Sequence, residues 1–124
     1  MTFRTRYVLI ASMNVKPDKE SLFNEVYETE HVPMLRDVPG VAAVHRLVIQ
    51  PLQLRIGGEL RQVDTSGEPR YSAVYEIETP DVLTSDAWAK AVEHGRWPQQ
   101  VRPFTFNRRH VLQKVLEPGV DLRG

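Results

Sequence analysis

The stretch Tyr27-Glu28-Thr29-Glu30-His31-Val32-Pro33 decides the reading of this 124-residue chain. Upstream of it, Leu22, Phe23, Val26 and Tyr27 recur at three- and four-residue spacing, which lines one face of a helix, while Lys and Glu fall on the outer side. Carried forward, the stripe ends on Glu30 and His31. Pro33 has no N–H to continue the hydrogen-bond ladder and pushes Val32 away from helical geometry, so the helix from Glu20 is expected to close on an inward-facing His31. An imidazole titrates near physiological pH, and one held over an apolar floor is a candidate acid or base. The alternative is a satisfied core histidine or a partner of the helix dipole.

Working outward, Arg6 to Val15 is rich in aliphatic, aromatic and β-branched residues and nearly continuously apolar, which predicts a strand covered on both faces. Asn14 to Asp18 carry turn chemistry, with Pro17 near the first helical turn. Beyond the helix, Pro39-Gly40 breaks the chain, and Val41 to Leu54 alternates well enough for one long strand, with Pro51 marking a bulge or an edge. Arg55 to Arg70 is polar and holds Gly57, Gly58, Gly67 and Pro69; it is expected to be a long connection, a flap or lid. Asp64-Thr65-Ser66-Gly67 within it is a turn without catalytic weight. Tyr71 to Glu78 alternates as a strand. Thr79-Pro80-Asp81 is expected to cap a second helix with the stripe Leu83, Ala87, Trp88, Ala91 and Val92, ending at Gly95. Phe104 to Leu116 is the last strand, before a polar tail over 117–124.

The order is β-α-β-β-α-β, a single ferredoxin-like α+β domain over 1–124 with two helices on one face of an antiparallel sheet. Both parities of the first two strands are apolar: Tyr7, Leu9 and Ala11 against Val8 and Ile10, and Leu47 and Ile49 against Val44 and Val48. Two helices cover one face only. The chain is short, so the second face calls for another copy of itself, and a homodimer is expected.

Composition narrows the functional classes. Sixteen acidic and sixteen basic residues leave a formal net charge of zero, so no global field draws the protein to nucleic acid or anionic lipid, and no stretch is long enough to span a bilayer. The absence of cysteine excludes disulfides, thiolate metal sites and a cysteine nucleophile, and suits a reducing cytosol. The apolar run Tyr7 to Ala11 is too short for a signal peptide. The four histidines, His31, His45, His94 and His110, form no local ligand pair, and Glu28 and His31 make only one Glu-x-x-His step, so no metal is expected. No serine sits in a Gly-x-Ser-x-Gly elbow, and Gly57-Gly58 is not a phosphate loop, so neither hydrolase nor nucleotide chemistry has support and no cofactor is expected.

Strand parity groups His45 with Leu47 and Ile49, Tyr75 with Tyr71, Ala73 and Ile77, and His110 with Phe104, Phe106, Arg108 and Leu112. If these faces all meet the helices, His45, Tyr75 and His110 converge with His31, Tyr27 and Trp88 around one cavity. If they point the other way, they are ordinary interface residues. Trp88 is either core or cavity wall. Trp97, beside Pro98, either caps a pocket or staples its loop to the surface.

The first strand, the helix ending in Glu30-His31-Val32-Pro33, and Val38-Pro39-Gly40-Val41 opening the next strand together resemble the EthD-like branch of the dimeric α+β barrel superfamily. The resemblance extends over nearly the whole chain, through Trp88 in the second helix, the 95–103 connection and Phe104-Thr105-Phe106 entering the last strand. It implies a pocket in each subunit between sheet and helices, with His31 among its polar groups. Superfamily members include cofactor-free monooxygenases, muconolactone-type isomerases, polyketide cyclases and proteins without known reaction.

Two functional expectations follow. One is a cofactor-independent lyase, isomerase or cyclase acting on a small carbonyl or phenolic compound such as a lactone or short polyketide; His31 moves the proton, and Tyr27, Tyr75 or His45 supplies a donor to the developing oxyanion. A cofactor-free monooxygenase is its near variant. The other is a non-catalytic small-molecule-binding or stress-related protein using the same pocket. Glu30 is expected to orient His31 only if the helix frays, because adjacent residues lie about 100° apart around a helix.

Overall fold

A computed structural model describes residues 3–116. The tail over 117–124 lies outside the described residues. Four strands, β1 (Tyr7–Val15), β2 (Val41–Val48), β5 (Tyr71–Ile77) and β6 (Thr105–Lys114), form an antiparallel sheet in the order β2-β5-β1-β6. Its register places Leu9 between Tyr75 and Leu112, and Ala11 between Ala73 and His110. This is the ferredoxin-like α+β arrangement that the order of apolar patterns predicts.

Helix α1 (Glu20–Val26) runs through a wide turn at Tyr27–His31 into α2 (Val32–Arg36), and α3 (Asp86–Ala91) follows β5. Phe23, Val26 and Leu35 are sealed against Leu9, Met13, Ala73, Tyr75 and Ile77 from the sheet. Each such large side chain contributes roughly 1.5–3 kcal/mol by leaving water.

The helix does not close at His31. Pro33 sits in the first turn of α2, and the Val32 N–H reaches five residues back to the Tyr27 carbonyl. A proline in a regular helix clashes with the carbonyl four residues before it and removes a hydrogen bond; widening the preceding turn relieves the clash without ending the rod. Trp97–Val101 repeats the device: the Arg102 N–H bonds the Trp97 carbonyl immediately before Pro103.

The 41–70 region also departs from expectation. β2 stops at Val48, and the polar segment contains a separate hairpin, β3 (Leu52–Ile56) and β4 (Glu59–Val63). Gly57 and Gly58 turn it, both at positive φ (61° and 83°), as a two-residue hairpin turn requires. The second helix is likewise split: Pro80–Thr84 is a tight turn, and Ser85, not Thr79, caps α3 by accepting from the Trp88 N–H.

The sheet has two unlike faces. Leu9, Ala11, Met13, Val44, Ala73 and Tyr75 lie under the helices, whereas Ile10, Ser12, His45, Leu47, Val74 and Val111 face away from them. Leu47 and Val111 are exposed there. No helix among the described residues is long and apolar enough to cross a membrane.

Candidate functional site

Between the sheet and the helices lies a cavity of about 370 Å³, floored by Leu9, Ala11 and Met13 and walled by Leu83, Trp88, Val92 and Trp97. Its polar groups are Tyr27, His31, Tyr75, Arg102, Arg108 and His110. The size and mixture, mostly apolar with a few convergent polar atoms, are those of a small-molecule pocket.

His31 reaches the cavity because the wide turn keeps it on the stripe of Phe23 and Tyr27. It is buried (5 % exposed), its ring stacked on Trp97 at 4.2 Å and 21° and edge-on to Tyr27 at 5.0 Å. Its Nδ1 is buried without a hydrogen-bond partner. Burial first, and the Arg102 charge second, push its pKa down to about 4, against a smaller opposing pull from Glu93. The imidazole is therefore neutral at physiological pH.

The Tyr27 and Tyr75 hydroxyls lie 3.5 Å apart, at the limit of a hydrogen bond. Burial pushes both phenols up, so both keep their protons. A pair of hydroxyls spends one proton on the bond between them, which leaves the other for a ligand oxygen. Trp88 stands edge-on to Tyr75 at 5.5 Å. The Arg46 guanidinium lies 4.6 Å from the Tyr27 ring centre and is held by Glu28 and Asn24 at 2.9 Å each.

The structure thus brings together His31, Tyr27, Tyr75, Trp88 and His110. It does not bring His45. That residue stands opposite Val74 on the other face, its Nε2 2.6 Å from the buried Glu76 carboxylate. The cause is parity: β2 pairs Val44 with Tyr75, so Val44 and Arg46 take the cavity side and His45 the opposite one. Phe106 also leaves the row assigned to it. A bulge where Asn107 takes φ 52° puts it opposite Asn14, away from Arg108 and His110.

Trp97, expected either to cap a pocket or to staple its loop, is a wall of the cavity and the plate under His31; Arg102 and Arg108 line the cavity without having been singled out by sequence. Glu30 anchors Arg96, the residue before Trp97, and not His31. Its carboxylate accepts from the Arg96 N–H at 2.9 Å and from Arg96 Nε at 2.6 Å, fixing the residue next to Trp97. Gly95 makes room for it: at φ 71°, a Cβ there would lie 2.3 Å from Glu30 Oε1.

Comparison with known proteins bears on the fold. No family model matches the chain, and no curated protein does. Solved structures do match. An ethyl tert-butyl ether D (EthD) family protein from Bacillus halodurans superposes with a TM-score of 0.58 at 15% identity, over 89% of this chain and 98% of that one. A point mutant of MhuD, with two manganese protoporphyrin IX molecules bound per active site, gives a TM-score of 0.54 at 16% identity, over 90% and 95% of the two chains. The chain therefore has the α+β barrel fold of EthD-like proteins, as the sequence resemblance implies. Among the described residues, no group of three or more His, Asp or Glu side chains is placed to hold a metal ion.

Proposed function

We propose that the protein is a cofactor-independent enzyme that moves a proton on a small, largely apolar carbonyl or phenolic compound, with His31 as the base and the Tyr27–Tyr75 pair as the oxyanion donor. The observation that carries this reading is the convergence of buried His31, stacked on Trp97, and the Tyr27–Tyr75 hydroxyl pair on one mostly apolar cavity.

The chemistry runs within the residues present. Neutral His31 takes a proton from carbon beside a carbonyl; the C–H electron pair becomes the enolate double bond and the negative charge moves to oxygen. A phenol with its pKa raised by burial stays protonated and donates to that oxygen. The resulting imidazolium returns the proton to a second position, which completes an isomerisation, or to a leaving oxygen, which completes a dehydration. A base whose pKa is about 4 is free at every physiological pH but weak, so the oxyanion donor must carry much of the barrier. The MhuD porphyrins do not carry over to this reading. A cavity of about 370 Å³, near the small end for ligand pockets, with Trp97 stacked on the imidazole face, suits one or two rings instead of a macrocycle.

The working form in this proposal is a homodimer joined through the open sheet face. Exposed Leu47 and Val111, with half-covered Ile10 and Val74, support it. Such an interface buries about 2,000 Å² or more in total, and light scattering at micromolar concentration should return twice the chain mass.

The test of the catalytic reading is to separate turnover from binding. Once a carbonyl compound that is turned over has been found by screening, His31→Ala and His31→Gln should each lower kcat by about a hundredfold or more and leave ligand affinity within a few fold. Retention of turnover by His31→Gln would sink the base assignment. A pocket that binds such compounds without turnover would favour the binding-protein reading.

A further inference from the structure

We propose that Arg108 selects the ligand of this cavity, and that the ligand is a small flat acid presenting one carboxylate at the cavity mouth. The inference rests on the reading of the cavity as a binding site and deepens it by naming the charge of what enters.

The lining contains two arginines, two histidines, two tyrosines and no carboxylate. One of the arginines is already committed. Arg102 donates to both carboxylate oxygens of Glu93 and, at 2.8 Å, to the Val92 carbonyl. Arg108 has no ion-pair partner among the described residues; Arg4, Arg6, Arg36 and Arg55 have none either, but none of those four lines the cavity. It is solvent-exposed and lines the cavity, which puts it at the mouth. Its charge is felt by two other lining groups, the Tyr27 phenol and the His110 imidazole, and in both it opposes positive or favours negative charge. With His31 neutral and both phenols protonated, Arg108 is the one lining cation left without a counter-charge among the described residues.

The strand is shaped to present this side chain. Strict alternation would set Phe106 in the same row as Arg108 and His110. The bulge at Asn107, held by its side-chain amide on the Gly67 carbonyl at 3.2 Å, turns Phe106 to the other face and leaves the guanidinium uncovered. A guanidinium pairs a planar carboxylate through two parallel N–H donors, a geometry that neither a neutral amide nor a lone hydroxyl reproduces. The apolar walls, with Trp88 and Trp97 among them, take the flat body.

The experiment is calorimetric titration of the full-length protein with 2-naphthoate and with its neutral isostere 2-naphthamide, repeated on Arg108→Gln and Arg108→Lys. Arg108 is exposed on an edge strand, so both variants should keep the wild-type circular dichroism. Wild type should bind the acid at least about tenfold more tightly than the amide, a preference that shrinks in high salt. Arg108→Gln should lose the preference while holding its affinity for the amide within about twofold, and Arg108→Lys should keep part of it. Equal binding of acid and amide by wild type, or a preference that survives in Arg108→Gln, overturns the role of Arg108 and leaves the cavity reading standing. Failure of wild type to bind either compound overturns both.

Discussion

His31 and His45 lie on opposite sides of one sheet and have opposite surroundings. His31 is buried, stacked on Trp97 and without a partner at Nδ1; His45 is half exposed and paired with the buried carboxylate of Glu76. On the helix side, polar groups converge on a mostly apolar cavity. On the open side they are matched in pairs, with Ser12 and Ser72 hydroxyls 2.7 Å apart as a second example, between exposed apolar residues. A few polar groups converging on an apolar cavity suit a ligand, and paired ones among exposed apolar neighbours suit a packing surface. Under the proposed function, the contrast assigns ligand chemistry to one face of the sheet and association to the other.

The open face should give the largest effect. Val74 stands opposite both Ile10 and His45, near the middle of that face. Val74→Arg would place an unpaired charge in the proposed interface and should weaken the dimer by on the order of 4 kcal/mol, about a thousandfold. Light scattering should then give the monomer mass at micromolar concentration, while the far-ultraviolet circular dichroism stays unchanged. A dimer that survives would move the interface elsewhere.

The next effect belongs to His31 and follows from its depressed pKa. Unfolded, the imidazole titrates near 6.5; folded, at about 4. Between these values the unfolded chain binds more protons than the folded one, so stability falls as pH drops through that window, by up to about 3 kcal/mol once pH is below 4. His31→Gln has no such proton to bind. Urea midpoints at pH 7 and pH 4 should therefore fall less in His31→Gln than in wild type, and equal losses would mean that His31 is solvated.

Gly95→Ala tests the plate under His31. A residue with a Cβ at φ 71° is strained by about 1–2 kcal/mol, and here the methyl would also meet Glu30 Oε1. The melting temperature should drop accordingly, and Trp97 fluorescence should shift to the red as the 95–97 segment moves. An unshifted spectrum would dissociate Trp97 from the Glu30–Arg96 anchor.

These residues also mark how far the sequence was legible. Periodicity located the four sheet strands, the first helix and the inward stripe Phe23, Tyr27, His31, because burial on one face writes itself into spacing. It did not reveal that a proline can be carried by a widened turn, since Pro33 looks like a helix end, Pro103 falls in a connection, and the accommodation lies in backbone geometry. The hairpin at 52–63 had a local signal, Gly57-Gly58 between two strand-length runs, but its polar strands lack the apolar alternation that marks a buried one. Parity within each strand was readable; which parity faces the helices was not, because both are apolar, and that is why His45 was grouped with Tyr75. The bulge at Asn107 broke the row of Phe106 and Arg108 for a reason that no alternation pattern contains. Arg108 itself becomes conspicuous only when it is seen to line the cavity without a counter-charge while Arg102, the other arginine there, is held by Glu93.

The smallest effect should come from His45. A glutamine there can still donate to the Glu76 carboxylate, and the pair is half open to water, so His45→Gln should cost less than about 1 kcal/mol. Glu76 has a second donor, the Arg4 N–H at 2.6 Å, and although burial works to raise its pKa, that bond and His45 together hold it below the ordinary value. Titration with the naphthalene probes should be unaffected by His45→Gln, because the sheet separates His45 from the cavity and no lining residue contacts it through a hydrogen bond. Dimer affinity should change modestly, since the substitution alters a polar contact within the association face. A loss of ligand binding without a change in dimer affinity would couple His45 to the wrong face, and the division of the sheet into two functions would have to be abandoned.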